Sequence, residues 1–286
     1  MQNSARFEVL PFERSVEEAR RLPGPIRLTV TCSPKHGPDR TVEIAGRLHA
    51  IGHQVTAHIA ARMVRDSAHL DALLAGMADA GVDDLFLIGG DADPPHGSYS
   101  SATELLPLVA EHARRPQTIG IAGYPEGHPL IADGILDEAL REKGRFADYV
   151  TTQMCFDPKA LRSWVGRHRQ DGMTLPVQIG MPGKVNRRRL LEMSLRIGVG
   201  PSLKFVRKQR GVRNLLSRRS TVDRLYDDLL PMLDDSRLGV EGFHFFTFNQ
   251  LVETWEWYAE KERESTGRSS DSAAQSTYVT SEERTA

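Results

Sequence analysis

Two cysteines in 286 residues leave no room for a disulfide framework or a four-cysteine zinc site. Cys32 and Cys155 both sit in apolar, strand-like contexts, which reads as two buried thiols in a reducing compartment. No two histidines stand at metal-ligand spacing with a carboxylate, so no metal site is expected. Charge of one sign is missing too: 37 Lys and Arg against 38 Asp and Glu give a formal net charge of -1. That balance removes any global pull toward nucleic acid or an anionic membrane surface. No apolar run approaches the length of a membrane span, and the N-terminal MQNSARFEVLPFE has no apolar signal core, so a cytoplasmic protein is expected. Two motifs are also absent. No G-x-G-x-x-G follows an early strand, which argues against a doubly wound dinucleotide fold. No Ser or Cys stands in an elbow beside a matching base, which argues against nucleophilic catalysis.

What is present is alternation. Short apolar, β-branched runs recur with helical stretches between them. The strand candidates are Arg6 to Leu10, Ile26 to Cys32, Gln54 to Ile59, Leu85 to Ile88, Thr118 to Ala122, Ala147 to Gln153, Leu175 to Gly180 and Gly242 to Phe246. Helices are expected from Ser15 as a cap to about Leu22 and from Asp39 as a cap to about Ile51. Others run from Ser67 to Ala80, Ala102 to Arg114, Leu130 to Lys143 and Asp157-Pro158 to Gln170. Helical stretches fill Val185 to Leu233, and a last helix opens at Asn249. Eight strands, each followed by a helix, predict an α/β fold: a single (β/α)8 TIM-type barrel over residues 1–261. From Glu262 the composition turns to Ser, Thr, Glu and Arg with little that is apolar, so residues 262–286 are expected to form a disordered tail.

A barrel carries its site at the C-terminal ends of its strands. Those positions hold Glu8, Thr31, His58, Asp91, Tyr124, Gln153, Met181 and His244. Glu8, between Phe7 and Val9, has the setting of a carboxylic acid whose pKa can rise enough to serve as a general acid. Asp91 follows two glycines that let a ligand approach closely. Gln153 offers a donor and an acceptor, which suits the edge of a heterocycle. Taken singly, each has a plainer reading: a solvated strand-end charge for Glu8, a turn former for Asp91, a hydrogen-bonded core histidine for His58. The loop after the fifth strand, YPEGHP, likewise reads either as a site loop or as a capping Glu beside a packed Tyr.

Taken together, RFEVLP (6–11), TVTCS (29–33), IGGD (88–91), AGYPEGHP (122–129), TTQMCFD (151–157) and GFHFFTFN (242–249) resemble the methylenetetrahydrofolate reductase family, in order and spacing, from about residue 5 to residue 258. The resemblance implies a (β/α)8 barrel that reduces 5,10-methylenetetrahydrofolate to 5-methyltetrahydrofolate, in one-carbon metabolism, with NADH or NADPH as hydride donor. It implies Glu8 as the general acid toward N10, and Asp91, Gln153 and Phe205 as substrate-binding residues. It places Thr31, His58, Tyr124 and Lys143 along the flavin or the nicotinamide that replaces it. Most members bind FAD. Here Gly89 stands where the family has an arginine, and Ala139 and Glu142 stand where asparagine and arginine are expected. These departures leave FAD doubtful and resemble the flavin-independent members. The alternatives are a conventional FAD-dependent reductase and a catalytically inactive folate- or nucleotide-binding barrel.

One stretch remains. Residues 184–224 carry thirteen Lys or Arg against Glu192 and Asp223. They read either as a solvated face or as an anion site for cofactor phosphates or for a polyglutamylated folate tail. Few aromatics interleave with the basic residues, which argues against nucleic acid as the partner.

Overall fold

The computed structural model describes residues 5–185 and 220–265. Eight parallel strands close in chain order into a barrel: β1 (Arg6–Val9), β2 (Arg27–Val30), β3 (Gln54–Ala60), β4 (Asp84–Ile88), β5 (Thr118–Gly123), β6 (Tyr149–Thr152), β7 (Val177–Pro182) and β8 (Val240–Phe246), with β8 pairing back to β1. The helices are α1 (Glu13–Arg20), α2 (Gly37–Ala50), α3 (Ser67–Asp79), α4 (Ala102–Ala110), α5 (Asp133–Lys143), α6 (Pro158–Gln170), α7 (Thr221–Leu229) and α8 over 251–265. The expected (β/α)8 barrel is therefore the fold.

Alternation along the strands builds two cores. One set of positions (Phe7, Leu28, Val30, Ile59, Leu85, Ile121, Val150, Ile179, Phe245) is wholly apolar and buried. This set meets the helices. Tyr258 of α8 lies edge-on to Phe7 at 5.8 Å between ring centroids, and Trp257 meets Phe245 at the same distance. Tyr226 of α7 covers Phe243 at 5.0 Å. The other set faces inward and is largely polar, with Phe86 and Phe246 among it. Arg6 of β1 reaches Thr56 of β3 at 2.8 Å, Asp84 of β4 at 2.6 Å and Tyr149 of β6 at 3.1 Å. Strands β1, β4 and β6 are not neighbours in the sheet, so these bonds cross the barrel interior.

The crossing forms a floor under the barrel. Tyr149 donates its phenol to Asp84 at 2.9 Å, and the Arg6 guanidinium lies 4.3 Å from the Tyr149 ring centre. Gly120 on β5 makes the space: a Cβ there would come within 2.2 Å of the Tyr149 ring. An ion pair sunk this deep holds only while both partners remain, because a lone buried carboxylate loses its compensation. Arg6→Met is therefore expected to lower folding stability by about 3 kcal/mol. Tyr149→Phe removes two hydrogen bonds, one donated to Asp84 and one accepted from Arg6, and should cost about 2 kcal/mol. Urea unfolding of both variants measures the pair.

The elements differ from the sequence expectations at their ends. Ser15 is not a cap: α1 starts at Glu13, and the Ser15 hydroxyl donates to the Leu10 carbonyl at 2.7 Å from inside the helix. Asp39 lies in the first turn of α2, which begins at Gly37 with Pro38 behind it. Helix α4 stops at Ala110, short of Arg114, with Pro107 already inside it. Helix α5 begins at Asp133, three residues after the expected start, and β7 is shifted to Val177–Pro182. The last helix continues through residue 265, four residues past the expected domain end, and 266–286 lie outside the described residues. Among the described residues no helix is long and apolar enough to cross a membrane.

Candidate active site

The polar interior continues upward from the floor to the C-terminal ends of the strands. Glu8 pairs in register with Thr29 on β2 and Phe246 on β8. Its side chain is 18% exposed, in a ring of buried neighbours, and its Oε2 lies 3.3 Å from Nε2 of His244. Thr247 fixes the strand beneath it by donating its hydroxyl to the Glu8 carbonyl at 2.6 Å. His58 stands on β3 against Phe86, with ring centroids 4.6 Å apart. Burial holds the His58 imidazole neutral, with its pKa pushed down to about 4 against the pull of the Glu8 charge.

That displacement has a measurable consequence for folding. An unfolded His58 takes a proton near pH 6.5, whereas the folded one refuses it until about pH 4. In that window the unfolded chain binds more protons, so stability held above pH 6.5 is lost as pH falls toward 4. Wild-type protein should lose more stability across this interval than His58→Asn does, as read from urea midpoints at each pH.

The mouth above is formed by loops. Thr31 follows β2, and its backbone N–H donates to the Val9 carbonyl at 3.0 Å, so it sits beside the end of β1. Asp91 is exposed after Gly89 and Gly90. Gly90 has φ +84, and a Cβ there would lie 2.7 Å from that of Ala60. Tyr124 is half-buried after β5. Burial raises its phenol pKa, and the charge of Asp91 adds to the rise. Tyr124 also packs edge-on to His128 at 5.4 Å. Gln153 accepts from the Met154 N–H at 2.8 Å through Oε1. After β8, Phe248 and Asn249 both have positive φ, 51° and 61°. Such strain at a large aromatic residue is a local cost of the kind that gathers at functional sites.

Glu126 has a different task from its neighbours. Its Oε1 accepts the backbone N–H groups of Phe156 and Asp157 at 2.5 and 2.8 Å. The glutamate of the YPEGHP loop does not cap the following helix, which begins after Ala132 with no side-chain cap; its carboxylate ties the β5 loop to the β6 loop.

The expected site residues do not all converge. Glu8 and His58 share the interior. Thr31, Asp91, Tyr124 and Gln153 belong to the strand ends and loops of the mouth. Lys143 stands apart on α5, buried, with Nζ donating to the Ala122 carbonyl at 3.2 Å and its pKa lowered to about 8 by burial. Phe205 and most of the basic stretch lie outside the described residues. Three features escaped the sequence reading: Phe86 beneath His58, and two buried polar atoms without partners, Oγ1 of Thr29 and Oε1 of Gln178. The available signal was a polar residue at an inward position of an apolar strand, in RLTV and VQIG.

The positions that would anchor a flavin pyrophosphate are poorly supplied. Gly89 has open space where a side chain would begin. Ala139 is half-buried and Glu142 exposed on α5. Arg62, whose backbone N–H donates to the Gly89 carbonyl, uses its guanidinium on the Ala92 carbonyl at 2.6 Å, the Ser100 carbonyl at 3.3 Å and Asp93. These residues do not fit FAD. Among the described residues no three His, Cys, Asp or Glu side chains gather as a metal-ligand set.

A closed parallel barrel with a half-buried acid on β1 and polar side chains in the following loops defines a (β/α)8 protein with its polar candidate residues at the C-terminal ends of the strands. The chain belongs to the methylenetetrahydrofolate reductase family, whose sequence model matches residues 13–259. It is 28% identical over 122 residues to methylenetetrahydrofolate reductase 1 of Schizosaccharomyces pombe, a match covering 39% of this chain and 20% of that protein. It is 27% identical over 177 residues to methylenetetrahydrofolate reductase (NADH) 1 of Arabidopsis thaliana, covering 54% of this chain and 29% of that one. The chain thus matches less than a third of the length of these curated relatives. Among solved structures, an uncharacterized protein from Clostridium thermocellum, described as binding two copies of 5-methyl-5,6,7,8-tetrahydrofolic acid, superposes with a TM-score of 0.62 at 11% identity, over 89% of this chain and 95% of that one. At that identity the likeness concerns the fold.

Proposed function

We propose that this chain reduces 5,10-methylenetetrahydrofolate to 5-methyltetrahydrofolate with NADH or NADPH, the hydride passing directly from nicotinamide to folate. The observation that carries the reading is Glu8, an acid on the first strand of a family barrel, seated below the mouth and in contact with a buried histidine. Glu8 gives its proton to N10 of the folate, the bond from N10 to the bridging methylene breaks, and the lone pair of N5 makes that carbon an iminium. The nicotinamide hydride adds to the carbon, completing the methyl group and leaving oxidised nicotinamide. Solvent returns a proton to Glu8. The barrel's part is alignment of donor and acceptor carbons and protection of the cation from water.

Asp91, Gln153 and Phe205 are assigned to the folate, with the amide N–H of Gln153 turned to the pterin edge. Thr31, His58 and Tyr124 line the nicotinamide side. Lys143, with its amine held on Ala122, serves this face through α5 rather than through a phosphate contact. The name of the Arabidopsis relative favours NADH as donor. The poor fit of Gly89, Ala139, Glu142 and Arg62 to a flavin supports direct transfer, and no step is routed through FAD. Arg207, Lys208 and Arg210 of the basic stretch are assigned to an anionic, polyglutamylated folate tail. Nicotinamide oxidation with methylenetetrahydrofolate and no added flavin tests the proposal. Absence of turnover under those conditions, with or without added FAD, would leave an inactive binding barrel.

A further inference from the structure

Among the described residues, His244 is the one titratable side chain in contact with the Glu8 carboxylate, and its own surroundings constrain where its proton sits. It lies on β8, buried, edge-on to Phe246 at 5.0 Å. Its Nε2 faces Glu8 Oε2 at 3.3 Å, and its Nδ1 is buried with no partner. A proton on Nδ1 would be a donor without an acceptor, which is costly in a dry interior. The tautomer this geometry favours carries its proton on Nε2, aimed at the carboxylate.

The other groups around Glu8 do not duplicate this contact. Arg6, two residues below on β1, is engaged by Asp84 of β4 and Tyr149 of β6. From β2 come only uncharged Thr29 and Thr31. His58 on β3 is neutral and its Nε2 has no partner. Asp91 stands at the mouth in the β4 loop.

We infer that His244 is the positioning residue of the general acid: its Nε2–H holds one carboxyl oxygen of Glu8 so that the other presents its proton to the substrate, and it stabilises the carboxylate left behind. The inference rests on the reductase reading for the identity of the proton's destination, but the contact itself is independent of it. No proton leaves the imidazole. Before transfer the N–H bonds to a neutral carboxyl oxygen, and afterwards the same bond becomes charge-assisted and stronger. The interaction thus grows along the reaction, which is the condition for accelerating it.

A hydrogen bond to the charged form lowers a carboxyl pKa, so its loss must raise it. In His244→Leu the Glu8 carboxyl, followed by infrared difference titration of ligand-free protein and assigned by its disappearance in Glu8→Gln, should titrate about one to two pH units higher. The alkaline limb of the kcat profile should move up with it, and kcat should fall about ten- to a hundred-fold. His244→Gln, which keeps a donor of similar reach, should retain both the titration and most of the turnover. If the leucine variant does not fold, His244→Asn, whose shorter amide falls short of the carboxylate, takes its place. An unshifted Glu8 titration in a folded donor-less variant overturns the assignment, even if turnover drops, because a packing defect alone would produce that drop. A shifted titration in a protein without reductase turnover keeps the positioning role and removes the reductase reading.

Discussion

Glu8→Gln is expected to lower kcat by about a hundred-fold or more, the usual scale for losing a general acid. The substitution keeps the shape of the side chain and an acceptor for the His244 N–H, but the amide is far too weak an acid to protonate an amine nitrogen in the transition state. The barrel should be undisturbed, since Thr247 bonds the backbone carbonyl of residue 8 rather than its side chain. Equal circular dichroism and urea midpoints would establish that. KM for the folate should change little, because the lost interaction belongs to proton transfer rather than to ground-state binding. Turnover within a few-fold of wild type would remove Glu8 from the mechanism and return the acid's part to Asp91 or to solvent.

The second large effect concerns how the two substrates meet. Direct hydride transfer requires nicotinamide and folate in the mouth at once, so initial rates should give intersecting double-reciprocal lines. A flavin intermediary would give parallel lines, because the first product would leave before the second substrate bound. Deuterium carried on the transferred position of the nicotinamide should appear in the methyl group of the product, with no loss to solvent. The purified protein should be colourless and should gain no turnover from added FAD. The physical motive is the anchor set: no side chain at Gly89, an acid at Glu142, and an Arg62 guanidinium already engaged within the β4 loop. A buried pyrophosphate needs cationic or backbone donors, and an adjacent carboxylate weakens its binding. Stoichiometric FAD in the native protein would refute direct transfer while leaving the folate chemistry in place.

The strands were legible because their outward faces are continuously apolar. Leu85 and Leu87, Ile119 and Ile121, and Phe243 and Phe245 announce burial within a few residues of sequence. Helix ends were less so. Ser15 looks like a cap by residue type, yet its hydroxyl finds the Leu10 carbonyl, and the extended backbone at Phe12 opens the helix without a side-chain partner. The candidate positions could be placed from the sequence because Glu8 lies in a recognisable strand and Asp91 and Gln153 follow others. Their neighbours were not. The floor of Arg6, Asp84 and Tyr149 joins residues 78 and 143 positions apart, and no local pattern encodes a bond across a barrel. His244 stood among the strand-end residues, but its hold on Glu8 comes from β8 closing onto β1, 236 positions away in the chain. Lys143 shows the converse: a basic residue in the expected segment whose amine is turned inward to a strand carbonyl.

The clip made by Glu126 sets the unit in which this mouth can be exchanged between proteins. Because one carboxylate holds the N–H groups of Phe156 and Asp157, and the Gln153 N–H in turn meets the Gly123 carbonyl at 2.8 Å, Tyr124 and Gln153 hang from a single two-loop frame. Transplanting the YPEGHP segment alone into another barrel would import the tyrosine with an unanswered acid. Transplanting the TQMCFD segment alone would leave two backbone donors without their acceptor. The heritable module is therefore the pair of loops, and selection acting on specificity at this mouth has to move them in step.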